Sequence, residues 1–71
     1  MSQTKKNMIK IIAALRKERE SKKISQAEMA ERLGVTKVTF NHYENGKQVP
    51  KLDMVLEWQS ILGVNFLEIK V

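Results

Sequence analysis

Residues 25–46 read SQAEMAERLGVTKVTFNHYENG, and the order of caps, apolar positions and turn residues predicts two short helices joined by a turn at Gly34-Val35. Ser25 followed by Glu28 has the form of a capping box, in which hydroxyl and carboxylate each satisfy a backbone N–H left open at a helix start. A helix therefore opens at about Gln26. Met29, Ala30 and Leu33 recur at helical spacing, and Gly34 then supplies the positive φ that ends a helix. Thr36 caps a second helix, with Val35, Phe40 and Tyr43 inward, and Asn45-Gly46 is the turn signal that closes it.

The other side of that second helix carries Lys37, Val38, Thr39, Asn41 and His42. A wet helical face is ordinarily filled with Glu and Lys, whereas this one offers short hydrogen-bonding groups, a cation and an aliphatic. Such groups suit base edges: Asn bonds adenine at two points, Lys and His donate to guanine O6 and N7, and Val or a Thr methyl touches the thymine methyl.

With Gln26, Met29-Ala30, Leu33-Gly34-Val35, the apolar residue at Phe40 and Tyr43-Glu44-Asn45-Gly46-Lys47 in place, the stretch resembles the helix-turn-helix of the phage-repressor (Cro and cI-like, XRE) family. The likeness runs from about Met8 to Val64. It implies an all-α, lambda-repressor-like helix-turn-helix bundle of four to five helices. It also implies that Ser25, Gln26, Thr36, Asn45 and Lys47 hold DNA phosphates, while Lys37, Val38, Thr39, Asn41 and His42 face bases. Family members commonly pair an arginine of the first helix with the glutamate of the ENG turn, here Arg19 with Glu44. Two departures stand out: Phe40 occupies a position usually Ile or Val, and Lys23 one that is often Gly.

Seventy-one residues make one domain, too small to roof over a catalytic cleft and small enough for dimerisation to help stability. The absence of cysteine excludes disulfides and thiolate metal sites and fits a reducing compartment. One histidine builds no metal site alone, and no cofactor is expected. No apolar run approaches ~20 residues, and MSQTKK lacks the apolar core of a signal peptide that should follow it, so the expected location is the cytoplasm, with no membrane contact. The net charge of +5 permits a polyanionic partner. It is uneven: residues 1–23 hold eight basic side chains against Glu18 and Glu20, a net +6, and the rest holds five against six, a net −1.

Residues 1–6 read as a disordered end, with Lys5 and Lys6 as a minor-groove arm in the alternative. From about Asn7 to Lys22, Met8, Ile11, Ile12 and Leu15 form the stripe of an amphipathic helix, and Arg19 continues it. Pro50 suits the first turn of a further helix, from about Lys51 to Leu62, stopped by Gly63. Its Leu52, Met54, Val55, Leu56, Trp58, Ile61 and Leu62 cover more than one face, so part of it should meet a partner. Residues 7–64 thus form the DNA-binding domain. Residues 65–71 are ambiguous: Asn65 with Glu68 fits a short helix, while the alternation of Leu67, Ile69 and Val71 with charges fits a β-strand that would pair with its copy across a dimer. The expected dimer interface is Met54, Trp58, Ile61, Phe66, Leu67, Ile69 and Val71.

No Gly-rich phosphate loop, carboxylate pair or nucleophile constellation is present, so no catalytic residue and no enzyme is expected. Tyr43 and Trp58 read as core rather than stacking platforms, since single-strand binders interleave several aromatics with basic residues. The reading that results is a transcriptional repressor binding a palindromic double-stranded DNA operator as a homodimer. The alternative is an antitoxin or accessory subunit whose main partner is a toxin protein, with DNA-binding autoregulation secondary.

Overall fold

A computed structural model describes residues 3–65, with side chains from Lys6 onward. It comprises α1 (Gln3–Ser21), α2 (Gln26–Leu33), α3 (Lys37–Glu44) and α4 (Leu52–Leu62), and no strand occurs among the described residues. This is the all-α bundle the resemblance implies. The ambiguous segment 65–71, with Phe66, Leu67, Ile69 and Val71, lies outside the described residues apart from Asn65, which is exposed and outside any helix.

The helix starts follow local chemistry. Ser25 and Thr36, both in extended backbone, accept the amide N–H of Glu28 and Thr39 through their hydroxyls, at 3.0 and 3.1 Å. Only this half of the capping box is seen: the Glu28 carboxylate accepts instead from Arg32 at 2.6 Å, a full charge four residues on outcompeting a backbone amide. Pro50 sits outside α4 rather than in its first turn, because Lys51 is the N-cap. At the other end of the chain α1 starts at Gln3, so residues 3–6, expected as a frayed end or arm, are helical. Gln and Lys are good helix formers and no breaker separates them from Asn7.

The helix ends share one device, the paired bonds of the Schellman motif. In α2, Gly34 N–H donates to Glu31 O and Val35 N–H to Ala30 O, and the same pattern closes α3 at Gly46-Lys47 and α4 at Gly63-Val64. In α1 it is Lys23 and Ile24 that donate, to Glu20 O and Arg19 O. The left-handed position there falls on Lys23, with φ of 57°. The turn is thus the one a glycine would make, held by a residue that Cβ crowding disfavours there.

The core gathers Ile12 and Leu15 from α1, Met29, Ala30 and Leu33 from α2, Phe40 and Tyr43 from α3, and Val55, Trp58 and Leu62 from α4. Phe40 and Trp58 meet with ring centroids 4.9 Å apart at 59°, a tilted pair within the favourable range. The aromatic at position 40 is therefore accommodated by a large partner on α4. This corrects the expectation that Trp58 faces a second copy: it is fully buried within its own chain, on the 55/58/62 stripe that points at α1–α3. Met54 and Ile61, on the flanks of that stripe, are only partly buried against the core, and Leu52 is half exposed.

Replacing Lys23 by glycine should relieve the left-handed strain while loosening the unfolded chain. The net expected gain is about 0.5–1 kcal/mol, visible as a higher urea midpoint at unchanged slope. A lower midpoint would show that the lysine is not strained there.

Candidate nucleic-acid interface

The site grows from one buried ion pair. Arg19, on the last turn of α1, donates from Nε to Glu44 Oε2 at 2.7 Å and from Nη2 to Glu44 Oε1 at 3.1 Å. This is a two-point geometry in which the planar guanidinium matches the carboxylate. Its third nitrogen, Nη1, donates to the Ile24 carbonyl at 2.6 Å. One side chain thereby ties the end of α1 to the α1–α2 link and to the last residue of α3. Both partners are buried, the Glu44 side chain completely.

Glu44 has a further donor. Gln26, the first residue of α2, donates from Nε2 to Glu44 Oε1 at 2.8 Å. Its carbonyl accepts from Asn41 Nδ2 at 3.3 Å, and the Asn41 carbonyl accepts from Asn45 Nδ2 at 2.9 Å. The start of α2 is thus held against the middle of α3, and the angle between the two helices rests on polar bonds as well as on the Met29–Phe40–Tyr43 core. The Asn41–Asn45 contact is an i, i+4 pair that spacing alone could reveal. The Gln26 link crosses helices fifteen residues apart in sequence, and no local signal in the chain announces it.

With the inward side so fixed, α3 presents the expected residues outward. Lys37 is exposed, Val38 retains 65% of its surface, and Thr39, Asn41 and His42 are half-buried. Thr39 shares a hydroxyl bond with the cap, Thr36 Oγ1 donating to Thr39 Oγ1 at 3.0 Å. Around them Ser25, Thr36, Asn45 and Lys47 are exposed and Gln26 is half-buried. The positive charge of α1 and of the turn after it is partly answered locally: Arg16 lies 3.7 Å from Glu20 and Lys22, just past the helix, lies 2.8 Å from Glu18. Lys37, the first residue of α3, and Lys47, three residues past its end, are both exposed.

Other concavities offer less. A groove of about 230 Å³ runs between α1 and the Glu44–Gly46 turn, floored by Ile9, Ile12 and Ala13. Small-molecule sites are typically ~300–1,000 Å³. Among the described residues no three metal-binding side chains come together, and no helix is long and apolar enough to cross a membrane.

Comparison with known proteins agrees with this geometry. A helix-turn-helix family model matches residues 15–69. Over 51 residues, 72% of the chain, the sequence is 43% identical to the SPbeta prophage-derived uncharacterized HTH-type transcriptional regulator YonR of Bacillus subtilis (strain 168). The match spans 47% of that relative's length, so the chain aligns with about half of it. No solved structure matches the chain with significance.

Truncation of Arg19 to alanine leaves the Glu44 carboxylate buried without its cation, a loss on the order of 3–5 kcal/mol. For a domain of this size that approaches the whole stability, so Arg19→Ala should be largely unfolded by circular dichroism at 25 °C. An unchanged melting temperature would show that the pair does not hold the fold.

Proposed function

The chain belongs to the XRE-type helix-turn-helix family of DNA-binding transcriptional regulators, and from that premise we propose that it is a repressor that binds a two-fold symmetric operator as a homodimer. Lys37, Val38, Thr39 and His42 meet base edges in the major groove. Ser25, Gln26, Thr36, Asn45 and Lys47 hold the flanking phosphates through side-chain donors and the open amides at the starts of α2 and α3. Half-sites lie about one helical turn, ~34 Å, apart. Repression follows from occupancy of promoter DNA, and the site of action is the cytoplasm.

The observation that carries this reading is the face of α3. An aliphatic side chain stands 65% exposed between a lysine and a threonine, on a helix whose opposite side is locked down by a buried ion pair. An exposed valine on a rigid, donor-rich helix has a natural counterpart in the thymine methyl group. The partly buried flank of α4 at Met54 and Ile61, with the half-exposed Leu52, supports self-association. The same flank would serve a protein partner such as a toxin if the chain were an antitoxin. Size-exclusion with light scattering in cell extract separates the two: a homodimer mass supports the repressor, a stable heteromer the antitoxin.

Binding-site selection tests the roles. Lys37→Ala and His42→Ala should each relax preference at one base position, with about 1–3 kcal/mol of discrimination lost. Lys47→Ala should weaken all duplexes alike and reduce the salt slope by about one. Identical behaviour of the two classes, or equal affinity for selected and random duplexes, would overturn the assignment.

A further inference from the structure

The polar chain at the heart of the site has a direction. A carboxylate held against a guanidinium only accepts, so Gln26 must turn its Nε2 toward Glu44 and its carbonyl toward Asn41. Asn41 must then present Nδ2 to Gln26 and its own carbonyl to Asn45, which donates through Nδ2. Flipping Asn41 alone would set oxygen against oxygen on one side and nitrogen against nitrogen on the other. The buried ion pair thus dictates the orientation of three amides, the last of which is exposed on the outer surface.

Two consequences follow for the interface. Adenine recognition by asparagine uses both ends of the amide, the carbonyl accepting from N6 and the nitrogen donating to N7. Both ends of Asn41 are already bonded within the protein. Meanwhile each of the three amides keeps a second hydrogen, and the carbonyls of Gln26 and Asn41 each already accept a bond within the protein. What remains for a ligand is mainly donors, which is what phosphate oxygens take.

Resting on the DNA-binding reading above, we propose that Asn41 reads no base. It is a positioning residue between two phosphate-binding amides: it braces the carbonyl of Gln26, which Glu44 orients directly, and passes that orientation on to Asn45. Sequence discrimination by α3 is then left to Lys37, Val38, Thr39 and His42. The expectation that Asn41 faces bases, where an asparagine would suit adenine, is replaced by a role in affinity for any duplex.

The test compares wild type, Asn41→Ala, Gln26→Ala, the double variant and Lys37→Ala in binding-site selection and in titrations with selected and random duplexes. Asn41→Ala should raise Kd for both duplexes by the same factor, about three- to tenfold for one lost hydrogen bond, and leave the selected sequence unchanged. The double variant should lose little more than the weaker single variant, because both substitutions break one chain. Lys37→Ala should flatten a base position. If Asn41→Ala instead loses an adenine preference while random-duplex binding is retained, or if its effect multiplies with that of Gln26→Ala, the proposal is overturned while the repressor reading stands. A wild type that binds no duplex overturns both DNA roles. The network is then judged in the free protein by NMR: in Asn41→Ala the Asn45 side-chain amide, which loses its acceptor, should move to free-amide shifts, while the Gln26 amide, still bonded to Glu44, should shift less. Unmoved resonances would refute the coupling itself.

Discussion

Everything at the working face depends on the Arg19–Glu44 pair. It joins residues twenty-five apart in sequence, buries a full negative charge, and spends the third guanidinium nitrogen on the Ile24 carbonyl. A buried ion pair of this kind adds little net stability over a well-packed apolar pair, because desolvation offsets attraction. What it imposes is geometry: a guanidinium and a carboxylate bonded at two points permit one relative placement of α1 and α3, where an apolar contact would tolerate several. In a domain this small, that restriction matters more than the energy.

The core and the helix ends complete the frame. Shared end motifs fix where each helix stops, so α2 and α3 remain short, and the three residues of turn between them act with the Gln26 bonds and the core to set their angle. The Phe40–Trp58 contact fills the space behind α3 with two rigid rings rather than flexible chains. Trp58 also brings a cost, since its indole Nε1 is buried with no hydrogen-bond partner among the described residues. Its retention there is understood as volume: a smaller residue at 58 would leave a cavity behind the helix that carries the outward face.

A helix backed in this way behaves as a rigid ruler. Rigidity is what base reading requires, because discrimination of a few kcal/mol is lost if side chains rearrange to suit any sequence. The directed amides of Gln26, Asn41 and Asn45 extend the same rigidity to the margin of the face, where proposed phosphate contacts would set register. Affinity and specificity are, on this view, divided between neighbouring side chains on one turn of helix.

The sequence by itself determined the elements whose signals are local. Ser25 and Thr36 announced two helix starts, Gly34 and Gly63 two ends, and the Met8–Leu15 stripe an amphipathic helix. The motif residues together indicated the family and, through it, the Arg19–Glu44 pair. Tertiary structure alone decided matters in which two distant segments compete for one group. Trp58 belongs to the core because Phe40 lies opposite it, although α4 has enough apolar residues to make either face inward. Asn41 likewise bonds Gln26 across the two helices, fifteen residues away in sequence. The physical reason is common to both: periodicity and capping are set by neighbours along the chain, whereas the long-range partner of a polar group or a large ring is set by what the fold brings within about 3–5 Å of it.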